Sequence, residues 1–250
     1  DKTMMIHLRM TGQLIWRISE SAVTDGYDDM MRHQFAAGHP SKNFMSELPN
    51  SQTRVTFGFE DGVLYFNDQR KFGFVKVLPT AEVEQDDFIA GLAKEPWEMS
   101  AEELFVQCQR HKKAVIKAVL LDQRVIVGLG NIYADESLFY AGVHPATRAG
   151  ELTEEQIARI LEGACKVMME SIDSGGSTMA TYVKPDGSTG SYLESFAQVF
   201  RREGKECLRC GAMIEKTRVA GRGTHFCPKC QKVTSLDNAS LDIREVGKKC

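Results

Sequence analysis

The chain has 250 residues, enough for two domains with separate cores, and its composition of 42% hydrophobic and 26% charged residues is typical of globular proteins. The formal net charge of −3 gives no sign of a polyanion-binding protein when taken as a total. The sequence contains no apolar run near the roughly 18 residues that a membrane span requires, so we expect no membrane partner.

The charge is segregated along the chain. Residues 81–103 carry eight acidic residues against one lysine, residues 105–131 carry five basic residues against one acid, and residues 201–232 carry nine against three. Two basic segments in a mildly acidic protein indicate either a local surface for a polyanion or two solvated faces. Charge alone leaves both interpretations open.

Residues 1–80 have the pattern of β-structure. Two short β-rich runs, MMIHLRM and QLIWRI, come first, and the alternating stretch TRVTFGFEDGVLYFND predicts a hairpin around Asp61-Gly62. Residues 21–49 are irregular and predict a loop or an insertion. Because the sequence opens at Asp1 within a β-rich run, we expect it to be the remainder of a longer polypeptide that lacks an N-terminal segment.

Helical periodicity replaces this alternation in the middle of the chain. Ser100 with Glu103 forms a capping box at the start of SAEELFVQCQRHKKAVIKAVLL, which continues at helical spacing. Thr153 with Gln156 forms a second capping box, followed by an apolar stripe that we assign to the core: Ile157, Ile160, Leu161, Ala164 and Val167. Two adjacent glycines, Gly175-Gly176, end this helix.

We divide the chain accordingly. Residues 1–80 are expected to be part of a β-domain, residues 81–198 a helical domain, residues 199–232 a small unit held by metal, and residues 233–250 a flexible tail. Within the helical segment, residues 178–192 are rich in glycine, serine and threonine and predict a mobile loop.

Four of the seven cysteines form two Cys-x-x-Cys pairs, Cys207 with Cys210 and Cys227 with Cys230, separated by sixteen residues. Four thiolates complete a tetrahedron, so this spacing predicts one closed structural zinc ion in a reducing compartment, with disulfides or an iron–sulfur cluster as alternatives. The intervening residues suit a β-hairpin with strands MIEKTRV and THF and a turn AGRG. Cys108, Cys165 and Cys250 are expected to be buried or free thiols.

Arg222 lies between two glycines in this predicted turn. An arginine fork matches phosphate oxygens in a bidentate manner, and the flanking glycines would let the backbone approach a ligand closely. The basic composition of the segment favours a phosphate contact over a plain surface arginine.

A second candidate anion site lies upstream, in the stretch GLGN. Gly128 and Gly130 precede a helix whose first residue is Asn131, and helix N-termini bind anions through their free N–H groups. Lys113, from the preceding helix, can add a positive charge. By itself this pattern is weak evidence.

The stretch LLDQRVIVGLGNIYADESLFYAGVHP resembles the helix-two-turn-helix signature of the formamidopyrimidine-DNA glycosylase family, which comprises bacterial base-excision repair enzymes. The motifs HLRMTGQL and FNDQRKFGF, the Gly175-Gly176 loop and the four-cysteine hairpin occur in the family's order, so the resemblance covers most of the chain. It implies an α+β fold with an N-terminal β-sandwich, a helix-two-turn-helix domain and a C-terminal zinc β-hairpin.

The resemblance implies roles for individual residues. Met10, Arg70 and Phe72 match the three side chains that fill the space left by a flipped-out nucleotide, with Arg70 facing the orphaned cytosine and Phe72 wedged between base pairs. Replacing the lost base offsets the few kcal/mol of stacking that flipping costs. Gln52 stands where the family usually has a DNA-binding histidine.

The helical and zinc segments match further positions of the family. Lys113 and Asn131 match phosphate-binding residues. Arg222 matches the arginine that grips the phosphates flanking the lesion and donates a proton in the final elimination. Residues 178–192 match the lid over the everted base, with Tyr192 near a base-contacting position.

The implied activity is removal of 8-oxoguanine and formamidopyrimidines from damaged double-stranded DNA, followed by strand cleavage through β,δ-elimination. The resemblance also implies a monomer in the bacterial cytoplasm, associated with the nucleoid. The family's nucleophile is an N-terminal proline followed by a glutamate, and a lysine of a later strand assists. All three precede the region matched by His7 and none is among these 250 residues, so we expect DNA and zinc binding without turnover.

Three alternatives stay open. A catalytically inactive DNA-binding protein would naturally lack the proline. The related endonuclease VIII branch shares the helical and zinc modules, although the void-filling pattern resembles the 8-oxoguanine branch more. A zinc-containing RNA-binding or ribosomal module is the third, and the combination of Met10, Arg70 and Phe72 disfavours it.

Overall fold

A computed structural model describes residues 1–19, 34–38, 47–177 and 191–232. The chain divides into two compact units, one comprising Asp1–Asp86 with Gly175–Ser191 and the other Asp87–Ser174 with Tyr192–Cys250. The helical and zinc segments, which the sequence analysis separates at residue 198, therefore lie in the same unit. Among the described residues, no helix has the length and apolar character needed to cross a membrane.

The first unit is built from six antiparallel strands. They are β1 (Lys2–His7), β2 (Gly12–Ile18), β3 (Gln34–Gly38), β4 (Thr53–Gly58), β5 (Gly62–Asp68) and β6 (Phe74–Pro79). Four of them form a sheet in the order β3-β2-β5-β4, and β1 pairs with β6 in a second sheet. The predicted hairpin is confirmed, with Gly58 opposite Val63 and Glu60-Asp61 at its tip.

The loop between β5 and β6 fits closely against β1. A Cβ atom added to Gly73 would lie 2.7 Å from the ring of Phe66 and 2.8 Å from the carbonyl oxygen of His7. Real Cβ atoms do not approach other atoms so closely, so only glycine allows the chain to pass here. Phe66 is itself buried in the core of this unit.

The second unit is helical, with α1 (Asp87–Ala90), α2 (Ala101–Arg110), α3 (Ile116–Leu120), α4 (Asn131–Ala141), α5 (Glu154–Asp173) and α6 (Tyr192–Ser195). Short 3-10 helices span Thr80–Gln85, Pro96–Glu98 and Ala149–Glu151. Both predicted capping boxes are present, and the apolar stripe of α5 is buried as expected. The α+β fold class is thus confirmed.

The helix that begins at Ala101 is shorter than the sequence pattern predicts. It ends at Arg110, and a turn separates it from α3. The backbone N–H groups of Ile116 and Lys117 donate to the carbonyl oxygens of Thr147 and Pro145, at 2.7 Å and 3.3 Å, rather than to the preceding helical turn. Side-chain periodicity carries across this break because both segments pack on the same core.

The zinc segment contains the predicted hairpin, with β7 (Glu215–Val219) paired to β8 (Arg222–Phe226). The turn is shorter than the predicted AGRG. It consists of Ala220 and Gly221 alone, both in the left-handed region with φ of 49° and 74°. Such mirrored two-residue turns match the right-handed twist of paired strands. Arg222 is therefore the first residue of β8 and lies beside the turn.

Candidate metal centre and nucleic-acid interface

The four cysteines of the zinc segment converge on one point. Their Sγ atoms all lie within 4.8 Å of one another, with Cys207 and Cys230 3.9 Å apart and Cys210 and Cys227 3.5 Å apart. A tetrahedral zinc ion with Zn–S bonds of about 2.3 Å requires sulfur separations of about 3.8 Å. These thiols therefore fit a single zinc ion with no position open for a catalytic water.

Two side chains attach this metal centre to the end of α4. The backbone N–H of Cys227 donates to Oε1 of Gln231 at 2.9 Å, and Nε2 of the same glutamine donates to the carbonyl oxygen of Val143 at 2.9 Å. Arg209 donates to the carbonyl oxygen of Phe139 at 3.1 Å and places its guanidinium 4.2 Å from the Phe139 ring centre. Neither Gln231 nor Arg209 belongs to the cysteine pattern, so the sequence alone does not indicate their role.

The hairpin is also attached to the N-terminal end of α4. The carbonyl oxygen of Gly223, next to Arg222, accepts from Nδ2 of Asn131 at 2.9 Å and from Nζ of Lys117 at 3.1 Å. Asn131 thus uses its side-chain amide to hold the hairpin. The structure brings two of the predicted phosphate-binding residues, Asn131 and Arg222, to the same place.

A buried ion pair underlies this junction. Nζ of Lys117 lies 2.6 Å from Oδ1 of Asp135, and both side chains are fully buried. Lys117 also donates to Oγ1 of Thr224 at 2.8 Å, while Oδ2 of Asp135 accepts the backbone N–H of His225 at 2.9 Å. The pair therefore connects α3 and α4 to the hairpin strand that begins with Arg222.

The electrostatic environment of Lys117 is unfavourable without its partner. Burial lowers the pKa of Lys117, the carboxylate of Asp135 opposes that shift, and the positive charge of Arg222 lowers the pKa further. Two cations, Lys117 and Arg222, thus lie near each other where the hairpin meets α4. One carboxylate, that of Asp135, offsets their charge. In the sequence Lys117 is only one member of a basic segment, because its contacts with Gly223 and Thr224 join residues 106 and 107 positions apart.

The N-terminal end of α4 has no side-chain cap. Gly130 precedes the helix with an extended backbone, and a Cβ atom placed on Gly130 would meet nothing within 4 Å. An anion can therefore approach the first N–H groups of the helix, which carry its positive partial charge. Lys113 is exposed in the turn between α2 and α3.

Tyr192 occupies a different environment from the one that a base-contacting role suggests. Its side chain is 1% exposed and packs edge-on against Tyr133, with ring centres 5.9 Å apart, and in parallel with Phe196 at 5.9 Å. Burial raises the pKa of the Tyr192 hydroxyl. In this structure Tyr192 is a core residue of the second unit. Residues 178–190 of the predicted lid, 178–192, lie outside the described residues.

The three predicted void-filling side chains are exposed on two loops of the first unit. Met10, on the β1–β2 loop, is 53% exposed, and Phe72, on the β5–β6 loop, is 56% exposed. The guanidinium of Arg70 lies 4.7 Å from the centre of the Phe72 ring. Two exposed apolar side chains and a guanidinium close to one of them thus lie on two loops that hydrogen bonds of Thr11 and Asp68 join.

Both loops rest on Asp68, the last residue of β5. This buried carboxylate accepts the hydroxyl of Thr11, the N–H of Arg70 at 3.2 Å and the N–H of Gly73 at 2.7 Å. Burial raises the pKa of Asp68, but these hydrogen bonds and one from the N–H of Phe72 outweigh it, so the pKa lies below its usual value. Asp68 lies within the motif FNDQRKFGF, but no local pattern in the sequence indicates its role.

Gln52 lies in the turn that precedes β4. Its backbone N–H donates to Oδ1 of Asn50 at 2.9 Å, and its carbonyl oxygen accepts the N–H of Asp68, also at 2.9 Å. Its main chain thus supports the same strand end that carries the void-filling loop. Contact of its side chain with DNA stays a prediction.

Comparisons with known proteins agree with this architecture. Three family models match: "Formamidopyrimidine-DNA glycosylase N-terminal domain" over residues 1–75, "Formamidopyrimidine-DNA glycosylase H2TH domain" over residues 92–183, and "Zinc finger found in FPG and IleRS" over residues 204–233. The last match, together with the four converging thiols, identifies the metal as one structural zinc ion.

Curated relatives and solved structures extend these matches. A formamidopyrimidine-DNA glycosylase of an Exiguobacterium species is 42% identical over 187 residues, covering 74% of this chain and 68% of the relative. That of Pelotomaculum thermopropionicum is 37% identical over 233 residues, covering 92% and 75%. The structure of Lactococcus lactis Fpg in complex with abasic-site DNA has a TM-score of 0.72 at 31% identity, covering 93% of this chain and 76% of that one. MutM in complex with DNA containing carbocyclic 8-oxo-G has a TM-score of 0.70 at 29% identity. This chain therefore belongs to the formamidopyrimidine-DNA glycosylase family.

Proposed function

We propose that the protein acts on oxidised purines, 8-oxoguanine and formamidopyrimidines, in duplex DNA and cleaves the strand by β,δ-elimination. The observation that carries this proposal is the exposed group formed by Met10, Arg70 and Phe72. Groove-binding proteins usually read base edges from a helix or a β-ribbon, whereas these three side chains lie on two loops. They suit a protein that replaces an extruded nucleotide and lowers the cost of unstacking.

The junction of α4 and the zinc hairpin supplies the second element of the proposal. Arg222 is exposed and held beside an open helix N-terminus, a combination suited to binding DNA phosphates. In the proposed reaction Arg222 grips the phosphates flanking the lesion and donates a proton during the last elimination. Lys113 and the N–H groups at the start of α4 bind neighbouring phosphates.

The comparisons support the choice of partner and lesion. The Lactococcus lactis protein is bound to DNA with an abasic site, and MutM to DNA with an 8-oxoguanine analogue. The family's proline nucleophile and its glutamate have no counterpart among these 250 residues, and we assign their roles to no other side chain. Binding of damaged duplex is therefore the part of the proposal that these 250 residues can test.

A binding assay with the 250-residue chain tests the proposal. Fluorescence anisotropy would compare duplexes of one sequence that carry an abasic-site analogue opposite cytosine, 8-oxoguanine opposite cytosine, an oxidised pyrimidine, or no damage, together with a structured RNA. We expect tightest binding to the abasic and 8-oxoguanine duplexes. Preference for the oxidised pyrimidine would support an endonuclease VIII-like protein, and preference for RNA would overturn the repair function altogether.

A further inference from the structure

The exposed void-filling side chains come from two loops that are far apart in sequence. Met10 belongs to the loop between β1 and β2, whereas Arg70 and Phe72 belong to the loop between β5 and β6. To enter one gap in a duplex, the three side chains must keep a fixed spacing. Loop tips of this length are ordinarily mobile, so something beneath them has to set that spacing.

The residue beneath both loops is Asp68, and its two carboxylate oxygens accept hydrogen bonds from different groups. Oδ1 accepts the hydroxyl of Thr11, next to Met10, and the N–H of Arg70, while Oδ2 accepts the N–H of Gly73, next to Phe72. The Thr11 oxygen accepts from the N–H of Arg70 as well, at 3.1 Å. One carboxylate, 1% exposed, thus ties the bases of both loops together.

The backbone of the second loop has a shape that needs such an anchor. Lys71 has a φ of 59°, in the left-handed region that non-glycine residues rarely adopt. Successive N–H groups on either side of Lys71 turn inward toward the carboxylate, so that the side chains of Arg70 and Phe72 turn outward and stack on each other. Without an anion at the centre, these N–H groups would lose the acceptor that they share.

We infer that Asp68 and Thr11 are positioning residues, which hold Met10 at a set distance from Arg70 and Phe72 before DNA arrives. Neither needs to touch DNA. Fixing the bound arrangement in advance reduces the ordering that binding must otherwise impose on both loops. The inference rests on the proposed function, because it assigns the pair its role in recognising a gap in the base stack.

Substitutions at Thr11 test the pair with little risk to folding. Thr11→Val keeps the shape of the side chain and removes the hydroxyl, whereas Thr11→Ser keeps the hydroxyl and removes a methyl group. Thr56→Val makes the same change at an exposed position of β4 and is the matched control. The first readout is the ratio of affinities for duplex with an abasic-site analogue and for intact duplex. The second is the fluorescence of 2-aminopurine placed opposite the gap, which reports side-chain insertion.

We expect Thr11→Val to reduce the preference for the gapped duplex by roughly 3- to 10-fold and to weaken the 2-aminopurine signal. This is the range for loss of one hydrogen bond, that from Thr11 to Asp68, because the N–H of Arg70 keeps Oδ1 of Asp68 as an acceptor. Affinity for intact duplex should not change, and Thr11→Ser and Thr56→Val should stay within about twofold of the parent. An unchanged preference in Thr11→Val overturns the inference. So does an equal loss on both duplexes, which indicates general destabilisation.

Hydrogen exchange in the DNA-free protein separates this inference from the proposed function. Thr11→Val should speed exchange of the amides of residues 70–73 several-fold, while Thr11→Ser should not. If the parent protein shows no preference for the gapped duplex, the proposed function fails. If that preference is present but neither exchange nor selectivity responds to Thr11→Val, the positioning role alone fails.

Discussion

The ion pair between Lys117 and Asp135 gives a quantitative test of how the zinc hairpin is held. In Asp135→Asn the side chain keeps its size but loses its charge. The ammonium group of Lys117 would then be fully buried without a counter-ion. The NH₂ group of the new asparagine would also lie against either Nζ of Lys117 or the backbone N–H of His225, both of which are hydrogen-bond donors.

The magnitude follows from the burial of both partners. Removing one member of a fully buried pair typically costs about 3–5 kcal/mol, because the remaining charge has neither water nor partner. For a cooperative unit of this size, each kcal/mol lowers the melting temperature by about 2–4 °C, so we expect a decrease of roughly 6–20 °C. Since the pair supports the strand that begins at Arg222, DNA affinity should fall at temperatures where the protein is still folded.

Thermal and urea unfolding followed by circular dichroism would measure the effect. Glu170→Gln is a suitable control, because Glu170 pairs with Lys166 at 3.9 Å on the exposed surface of α5, where loss of a pair costs about 0–1 kcal/mol. The double variant Lys117→Met with Asp135→Leu should be less destabilised than the sum of the single changes, since no uncompensated charge is left. An Asp135→Asn protein as stable as the Glu170→Gln protein would refute the reasoning.

Three further outcomes are expected. Cys227→Ser should abolish stoichiometric zinc and unfold the hairpin, whereas Cys165→Ser, outside the cluster, should keep zinc by elemental analysis; DNA affinity that survives the loss of zinc would argue against a hairpin contact. Arg222→Ala should weaken binding on any sequence and reduce the salt slope by about one, with zinc unchanged, while the exposed Arg159→Ala should do neither. Because the pKa of Asp68 is lowered in the folded protein, its stabilising effect should be complete above about pH 4 and lost as the pH falls through the folded pKa, so the difference in unfolding free energy between parent and Asp68→Asn should shrink there. A constant difference across that range would contradict the assignment.

Local signals in the sequence were sufficient for much of the fold. The capping boxes at Ser100 and Thr153 gave the correct helix starts because a cap needs only side chains within one turn. The cysteine spacing located the metal centre for a similar reason, since each Cys-x-x-Cys pair bends back on itself. Turn chemistry at Asp61-Gly62 likewise placed the β4–β5 hairpin.

The sequence could not supply the contacts between distant segments. Lys117 meets Gly223, and Asp68 meets Thr11, across 106 and 57 positions respectively, and neither partner carries a local pattern. For the same reason, the sequence did not predict that α3 is separate from α2, or that Tyr192, expected near the base, lies in the core. These pairings depend on tertiary packing, which only the three-dimensional structure contains.

The two-residue turn of the hairpin has a consequence for how this protein can evolve. Arg222 is the first residue after Ala220-Gly221, and the next carbonyl is fixed to α4, so the register leaves no spare length. Inserting one residue between Arg222 and the fixed carbonyl of Gly223 would turn Arg222 to the opposite face of the strand. Natural variation at this tip should therefore consist of amino-acid replacements, while insertions and deletions should collect in other loops.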